Sequence, residues 1–398
     1  MKKLLVLAAG ILQVPVIKKA REMGYFVIAA DANPNACGFI YADKSICTDI
    51  TSEKNMLKIA KEEKIDGIIH PCSEVSMSVM GFINDELKLS GITKEQALNA
   101  TNKNLMRIAF EKFDAPSPKS ILTESAENAW IIWQDEFDAT AILKPSRNSG
   151  SRGIAKIDRN ITKEIFLQLY NRALLESRDD SVLIEEFIEG PEFSVEIIVW
   201  QNKIHVLSIT DKKTTESPYF VELGHNQPSC FSQNIQSLII EAAIKGTEAL
   251  AVNNCACHAE IKLQNNKAYI MEIGARLGGD FISTVLTPIS TGVDMVAAAI
   301  NCSLGIKPEL NQMENKQSVC IRYFCPKPGK LISINNTDIL RDEKVYNYEF
   351  YYTKPGYVIP EIKSSLDRFG HVIVTNKTPQ LAVEFAEQII NDVNIITE

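Results

Sequence analysis

The segment from His258 to Asp280, HAEIKLQNNKAYIMEIGARLGGD, constrains this chain more than any other. His258 to Leu263 alternates in character, Gln264-Asn265-Asn266-Lys267 supplies turn residues, and Ala268 to Ile273 alternates again. That pattern predicts two strands joined by a short polar turn. Residues two apart on a strand share a face, so Glu260 is expected to look across the hairpin at Glu272. Two facing carboxylates repel unless something positive lies between them, and a hard divalent cation with oxygen ligands, Mg²⁺ or Mn²⁺, suits such a pair. Directly after Glu272 comes Gly274-Ala275-Arg276-Leu277-Gly278-Gly279, a cation followed by a loop able to approach a ligand closely. The plainer alternative is two solvated acids on an edge hairpin. The arginine and the paired glycines tell against it.

Upstream, a strand predicted over 139–143 leads into Lys144-Pro145-Ser146-Arg147-Asn148-Ser149-Gly150-Ser151-Arg152-Gly153-Ile154. A lysine at a strand end, then a loop rich in Gly, Ser and Arg, suits the gripping of phosphates. Backbone N–H groups and hydroxyls such as that of Ser151 donate, while Lys144 and Arg152 supply charge. No Gly-Lys-Ser/Thr opens a helix, so this is not a Walker loop. Val182 to Ile188, VLIEEFI, reads as a buried strand carrying Glu185 and Glu186, a costly placement unless the acids are used. Gly190-Pro191-Glu192 turns the chain into a central strand with Phe193, Val195 and Ile197 on one face. The stretch from Ser217 to Ser229 has no regular period and reads as a loop, long enough to be functional.

The N-terminal part reads as a right-handed βαβ unit: strand from Leu4, glycine turn, helix from Pro15, then a strand ending at Asp31. Its turn carries one glycine where a dinucleotide fingerprint wants three, which makes a nicotinamide oxidoreductase the weakest reading. His70-Pro71-Cys72-Ser73-Glu74 follows a third buried strand, at the end where parallel sheets place ligands. Glu74 either meets an ammonium group or occupies the first turn of the following helix, and the residues leave both open. Thr101-Asn102 caps a helix bearing Lys103, and Phe113 to Pro118 breaks the chain at a candidate boundary.

Composition narrows the partners. A net charge of −8 argues against nucleic acid, so a nucleotide has to be held by a few local cations. Nine scattered cysteines, an odd number, fit the reduced thiols of a cytoplasmic protein better than a disulfide framework. Met1-Lys2-Lys3 followed by LLVLAAGIL imitates a signal peptide, but no small-x-small cleavage site follows, and a first buried strand accounts for the same residues. No run approaches the ~20 apolar residues needed to span a bilayer.

Glu260, Glu272 and Arg276 resemble the metal-binding hairpin of the ATP-grasp ligases, usually a Glu, a second Glu on the next strand, then Asn and Arg. Gly274 stands here at the asparagine position. The Glu-x-Gly-Ala-Arg-x-Gly-Gly form looks most like the L-amino-acid ligases that make dipeptides, and the chain is also similar to the ATP-grasp domain of the carbamoyl phosphate synthetase large chain. NKNLMR around Lys103, LKP…SGSRGI around Lys144 and EEFIEGPE extend the likeness. The resemblance implies an α/β ATP-grasp fold in three parts: an N-terminal βαβ (Rossmann-like) domain over 1–113, a small lid subdomain over 114–184, and a larger C-terminal α+β nucleotide-binding domain over 185–398.

It also implies roles. Lys103, Lys144 and Ser151 would contact ATP, Glu185 and Glu186 would face the adenine amine, Ile188 N–H would meet a ring nitrogen, and Glu192 would bind ribose. Glu260 and Glu272 would hold the metal. The Glu222-x-x-His225-x-x-Pro228 arrangement resembles the amino-acid ligases' substrate loop, with Glu222 on an ammonium and His225 on a carboxylate or the attacking amine. Glu74, Arg276 and Gly279 would complete the substrate site, and Arg276 and Lys144 would act in catalysis. The implied reaction joins a carboxylate, activated as an acylphosphate with release of ADP, to an amine. The partners are small molecules, with no nucleic acid and no membrane, and a homodimer stays open. A bicarbonate-using carboxylase of purine or biotin type is the alternative enzyme, and a catalytically silent nucleotide-binding protein the alternative from another class.

Overall fold

The computed structural model describes residues 1–137, 140–148, 152–216, 219–313 and 316–398. Its first sheet is parallel, in the order Lys44–Cys47, Phe26–Asp31, Lys3–Leu7, Gly67–Ile69. Leu4 to Leu7 are wholly buried, as expected of a central parallel strand covered on both faces, and they are the residues that imitate a signal sequence. Among the described residues, no single helix is long and apolar enough to cross a membrane.

A second sheet, antiparallel, runs Ser120–Thr123, Val182–Glu186, Ala141–Pro145, Ala155–Ile157. The helices Ala126–Glu136 and Lys163–Glu176 cover it with Trp133, Phe166 and Tyr170. This small unit has a core of its own, and its strand continues past residue 184 to Glu186.

The third sheet has eight antiparallel strands: Lys267–Gly274, Cys255–Gln264, Glu192–Trp200, Lys203–Thr214, Glu222–Gln227, Ser318–Phe324, Gly370–Asn376 and Val345–Phe350. Strand alternation sorts its contacts. Phe193, Val195, Ile197 and Val199 face the helix Gln233–Ala249 and join Leu5 and Ile28 of the parallel sheet in one core. Ile198 and Ala256 face the opposite way, toward the helix Met295–Ser303 and Val6. The parallel sheet and the large sheet therefore share cores on both sides and form one packed body. A three-stranded sheet, Val358–Ile359, Gly329–Asn335 and Asn394–Thr397, closes the C-terminal part.

Two local expectations are corrected. The stretch read as a loop contains the strand Glu222–Gln227, held between Lys203–Thr214 and Ser318–Phe324. ELGHNQ shows no apolar alternation because its buried side chains pair with polar groups. Gln227 Nε2 donates to Thr210 Oγ1 at 2.6 Å, Ser290 Oγ donates to Gln227 Oε1 at 2.8 Å, and Asn226 Nδ2 donates to Asp211 at 2.9 Å. Glu74 is not in a helical first turn: the next helix is Met77–Leu87, with Ser76 at its N-cap.

Candidate active site

Glu260 and Glu272 are direct Cα partners across the hairpin, as the two-residue period predicts. Each carboxylate meets a lysine from another element. Lys103 Nζ, at the start of the helix Lys103–Lys112, lies 3.1 Å from Glu272 Oε2 and donates to Asn148 O at 2.8 Å. Lys212 Nζ lies 3.3 Å from Glu260 Oε1, 2.5 Å from Glu192 Oε1 and 3.8 Å from Glu222 Oε1. Lys212 holds Glu260 well below the usual carboxylate range, and Lys103 lowers Glu272 against the upward push of burial. Burial opposes the charge on Lys212, yet Glu192, Glu260 and Glu222 together raise it well above an ordinary lysine.

Sequence reasoning missed Lys212. Its partners come from three strands besides its own, and the only local hint was a charged Asp211-Lys212-Lys213 run inside a strand.

Two opposed, ionised carboxylates are a donor set that fits a hard divalent cation. Among the described residues, no group of three His, Cys, Asp or Glu side chains forms a cage. Such an ion would then take its remaining ligands from phosphate and water, as Mg²⁺ characteristically does.

Behind Glu260 lies a buried relay. His258 Nδ1 is 2.6 Å from Glu196 Oε1, its Nε2 is 3.7 Å from Glu260 Oε1, and Glu196 is fully buried. Ser283 Oγ donates to Glu196 Oε2 at 3.1 Å and accepts from Gly278 N–H at 2.8 Å. Burial works against the His258 imidazolium, but Glu196 raises it to about 9. Gly278 has to be glycine here, since a Cβ would stand 2.5 Å from His258 Nδ1. A Cβ on Gly279 would meet nothing within 4 Å, and one on Gly274 would press on the Arg276 guanidinium at 3.2 Å.

Lys144 comes from the end of its strand, as expected, and its ammonium donates to Glu185 Oε1 at 2.6 Å. Arg107 grips the same carboxylate with two bonds of 2.9 Å. The Glu185 side chain is thereby turned to these two cations. Burial pushes it up, but Arg107 and Lys144 pull it down to about 2. Burial lowers Lys144 to about 8 in spite of Glu185, with Arg107 and Lys103 adding to the fall.

Arg276 Nη2 donates to Glu74 Oε1 at 2.8 Å, so the end of the parallel sheet reaches the glutamate hairpin. Burial, then Glu272, raise the Glu74 carboxyl although Arg276 opposes them. Glu222 Oε2 accepts from Ser365 Oγ at 3.0 Å. His225, only 1% exposed, is 3.4 Å from Asp280 Oδ2. Asp280 in turn accepts two bonds, of 2.7 and 2.9 Å, from Arg368, whose guanidinium lies 3.7 Å from the Tyr323 ring centroid. Arg368 is a C-terminal contribution that no local pattern announced.

One cleft joins most of these groups. Seven carboxylates line it (Glu74, Glu185, Glu186, Glu192, Glu222, Glu260, Glu272) and six cations (Lys103, Lys144, Arg152, Lys212, Lys262, Arg276). Ile142, Ile154, Phe187, Ile188 and Met271 give it an apolar stretch suited to a flat ring. His225 and Gly279 are not part of this lining, and Ser151 lies outside the described residues.

Comparisons with known proteins agree with this geometry. Residues 137–285 match the ATP-grasp domain family, and residues 322–398 match the L-amino acid ligase C-terminal domain 2 family. Alanine–anticapsin ligase of Bacillus subtilis is 28% identical over 280 residues, 65% of this chain and 58% of that protein. The match thus spans less than two thirds of that relative's length. The L-amino acid ligase of Bacillus licheniformis superposes with a TM-score of 0.81 at 18% identity, covering 100% of this chain and 99% of that one. The phosphoribosylglycinamide synthetase of Anaerococcus prevotii does so with a TM-score of 0.79 at 25% identity, covering 100% of both chains.

Proposed function

We infer that this chain, which has the ATP-grasp fold and carries an ATP-grasp domain, is an ADP-forming ligase that joins the carboxylate of an amino acid to an amine. The observation that carries the reading is the Glu74–Arg276 pair beside the glutamate hairpin. An α-amino acid is a zwitterion. Its ammonium matches Glu74 or Glu222, and its carboxylate matches Arg276, whose planar fork holds a carboxylate or acylphosphate in two bonds as lysine does not. Bicarbonate has no ammonium and gives these acids nothing to bind.

ATP would lie with its adenine against Ile142, Phe187, Ile188 and Met271, its ribose at Glu192, and its phosphates toward Lys103 and Lys144. Glu186 lines the same end, and the Glu185 side chain serves by orienting Lys144. Glu260 and Glu272 would hold a divalent cation, which when bound neutralises phosphate charge and draws the γ-phosphate into line.

A substrate carboxylate oxygen attacks the γ-phosphorus, the bond to the β-bridging oxygen breaks, and ADP leaves. The amine then attacks the acyl carbon, and phosphate and one proton are released. Throughout, Lys103, Lys144, Lys212 and Arg276 stabilise the gathering negative charge in a partly closed cleft. No side-chain nucleophile is needed. The three parts expected from the sequence would serve as amino-acid side, lid and nucleotide platform.

The test is product analysis with ATP, Mg²⁺ and a panel of amino acids, singly and in pairs. ADP and phosphate are expected, with a hydroxamate trapped by hydroxylamine. AMP and pyrophosphate would place the protein in an adenylating class, and ADP release triggered by bicarbonate alone would make it a carboxylase.

A further inference from the structure

The two lysines that reach the cleft from opposite walls are tied together outside it by one carboxylate. Asp179 Oδ2 accepts from Asn102 Nδ2 at 2.9 Å and from Ser146 Oγ at 2.7 Å. Its Oδ1 accepts from Ser177 Oγ at 2.8 Å and Ser181 Oγ at 2.9 Å. Asn102 immediately precedes Lys103 and caps its helix, Oδ1 accepting from Leu105 N–H at 3.0 Å. Ser146 stands two residues after Lys144 and is fully buried. A single oxygen thus touches the segment carrying each lysine.

The surrounding backbone repeats the connection. Lys103 N–H donates to Ser146 O at 2.9 Å, Ser146 N–H to Ser181 O at 3.1 Å, and Arg178 N–H to Arg147 O at 3.0 Å. Two features mark Asp179 as more than a loop acid. Its four hydrogen-bond donors are neutral, and the nearby Arg147 charge only adds to their pull, so it gathers groups more than it cancels a charge. Its carboxylate also lies against Asn102, the N-cap of a ten-residue helix, at the end where a negative charge is favoured. Asn102 belongs to the body with the shared cores, whereas Ser146, Ser177 and Ser181 belong to the small unit. Asp179 bridges the two at the root of the cleft.

We propose that Asp179 is a positioning residue for the nucleotide site, setting the separation of Lys103 and Lys144 through Asn102 and Ser146. It rests on the reading above that these lysines meet the phosphates. A displacement of about 1 Å in such a pair is enough to cost on the order of 100-fold.

The experiment compares the binding of ADP with that of adenosine, which lacks phosphates, in the full chain. Asp179→Ala is expected to weaken ADP about tenfold, leave adenosine within about twofold, and raise the KM for ATP more than it lowers kcat. Asp179→Asn keeps one acceptor oxygen and should fall between, and it serves if the alanine variant folds poorly. Ser177→Ala removes an Oδ1 partner and the long bond of 3.4 Å from Ser181 N–H, touches neither Oδ2 contact, and should leave ADP affinity unchanged. Equal losses for ADP and adenosine, or a Ser177→Ala effect as large as that of Asp179→Ala, would reduce Asp179 to a structural role and overturn the proposal. Lys144→Met measured alongside separates the two ideas: if it fails to weaken ADP, the phosphate reading of the cleft is wrong. If it weakens ADP while both Asp179 variants do not, only the positioning role is lost.

Discussion

Lys144 and Glu185 sit 2.6 Å apart in full burial, yet the environment treats them unequally. Glu185 has two cations and stays ionised, while burial, with the charges of Arg107 and Lys103 adding to it, brings Lys144 down to about 8. Nucleotide phosphates favour the charged amine, so above pH 8 binding has to take up a proton. ATP affinity is therefore expected to fall as pH rises through 8, by up to about tenfold per unit. Calorimetry in two buffers of different ionisation enthalpy should show proton uptake at pH 9 and little at pH 7, and Lys144→Arg should remove it. Glu272→Gln is expected to lower turnover on the order of 100-fold or more while sparing much of the nucleotide affinity, because the apolar wall of the cleft does not depend on the cation. Near-normal steady-state rates would sink the metal assignment. The facing of Glu260 and Glu272 was legible because a strand has a fixed period of two. Lys212 and Arg368 were not, because their meaning comes only from strands brought together by the tertiary fold.

At the scale of elements, Glu222 carries the main correction. It is the first residue of a strand paired on both sides rather than part of a loop, and Lys212 and Ser365 hold its carboxylate. A rigid element places a charge better than a loop does, which strengthens its proposed use as an ammonium partner. Glu222→Ala is expected to raise the KM for the amino acid about ten- to a hundredfold, the worth of a charge-assisted hydrogen bond, and to leave ATP binding alone. A silent variant in initial-rate assays would remove Glu222 from the substrate site. This strand escaped notice because its buried face is polar, so hydrophobic periodicity had nothing to register. The parallel strands and the glutamate hairpin, by contrast, announce themselves in apolar runs and alternation. Glu74 was half legible: its place at a sheet's carboxyl end was readable, its arginine partner was not.

For the molecule as a whole, the body is one packed unit with shared cores, and the small sheet is a second unit, with a core of its own, beside the cleft. The order of α and β elements made the N-terminal parallel sheet readable, while contacts such as Lys103 with Asn148 and Asp179 with Asn102 span too much sequence to be foreseen. Nucleotide bound between the units should slow amide exchange in Ala141–Pro145 and Val182–Glu186, and unchanged exchange at saturating ADP and Mg²⁺ would place the nucleotide elsewhere. The chain carries an excess of eight negative charges, and seven acids in the cleft face six cations. Lys212 is what keeps three of those acids together. In electrical terms its ammonium occupies the role of a monovalent counterion built into the chain, so an arriving divalent ion has to compete with it. Substituting Lys212→Met should then turn this region into an ion-exchange site. Mn²⁺ should bind it without nucleotide, and more tightly than it binds the unaltered protein, as paramagnetic resonance would register, even as ligation is lost.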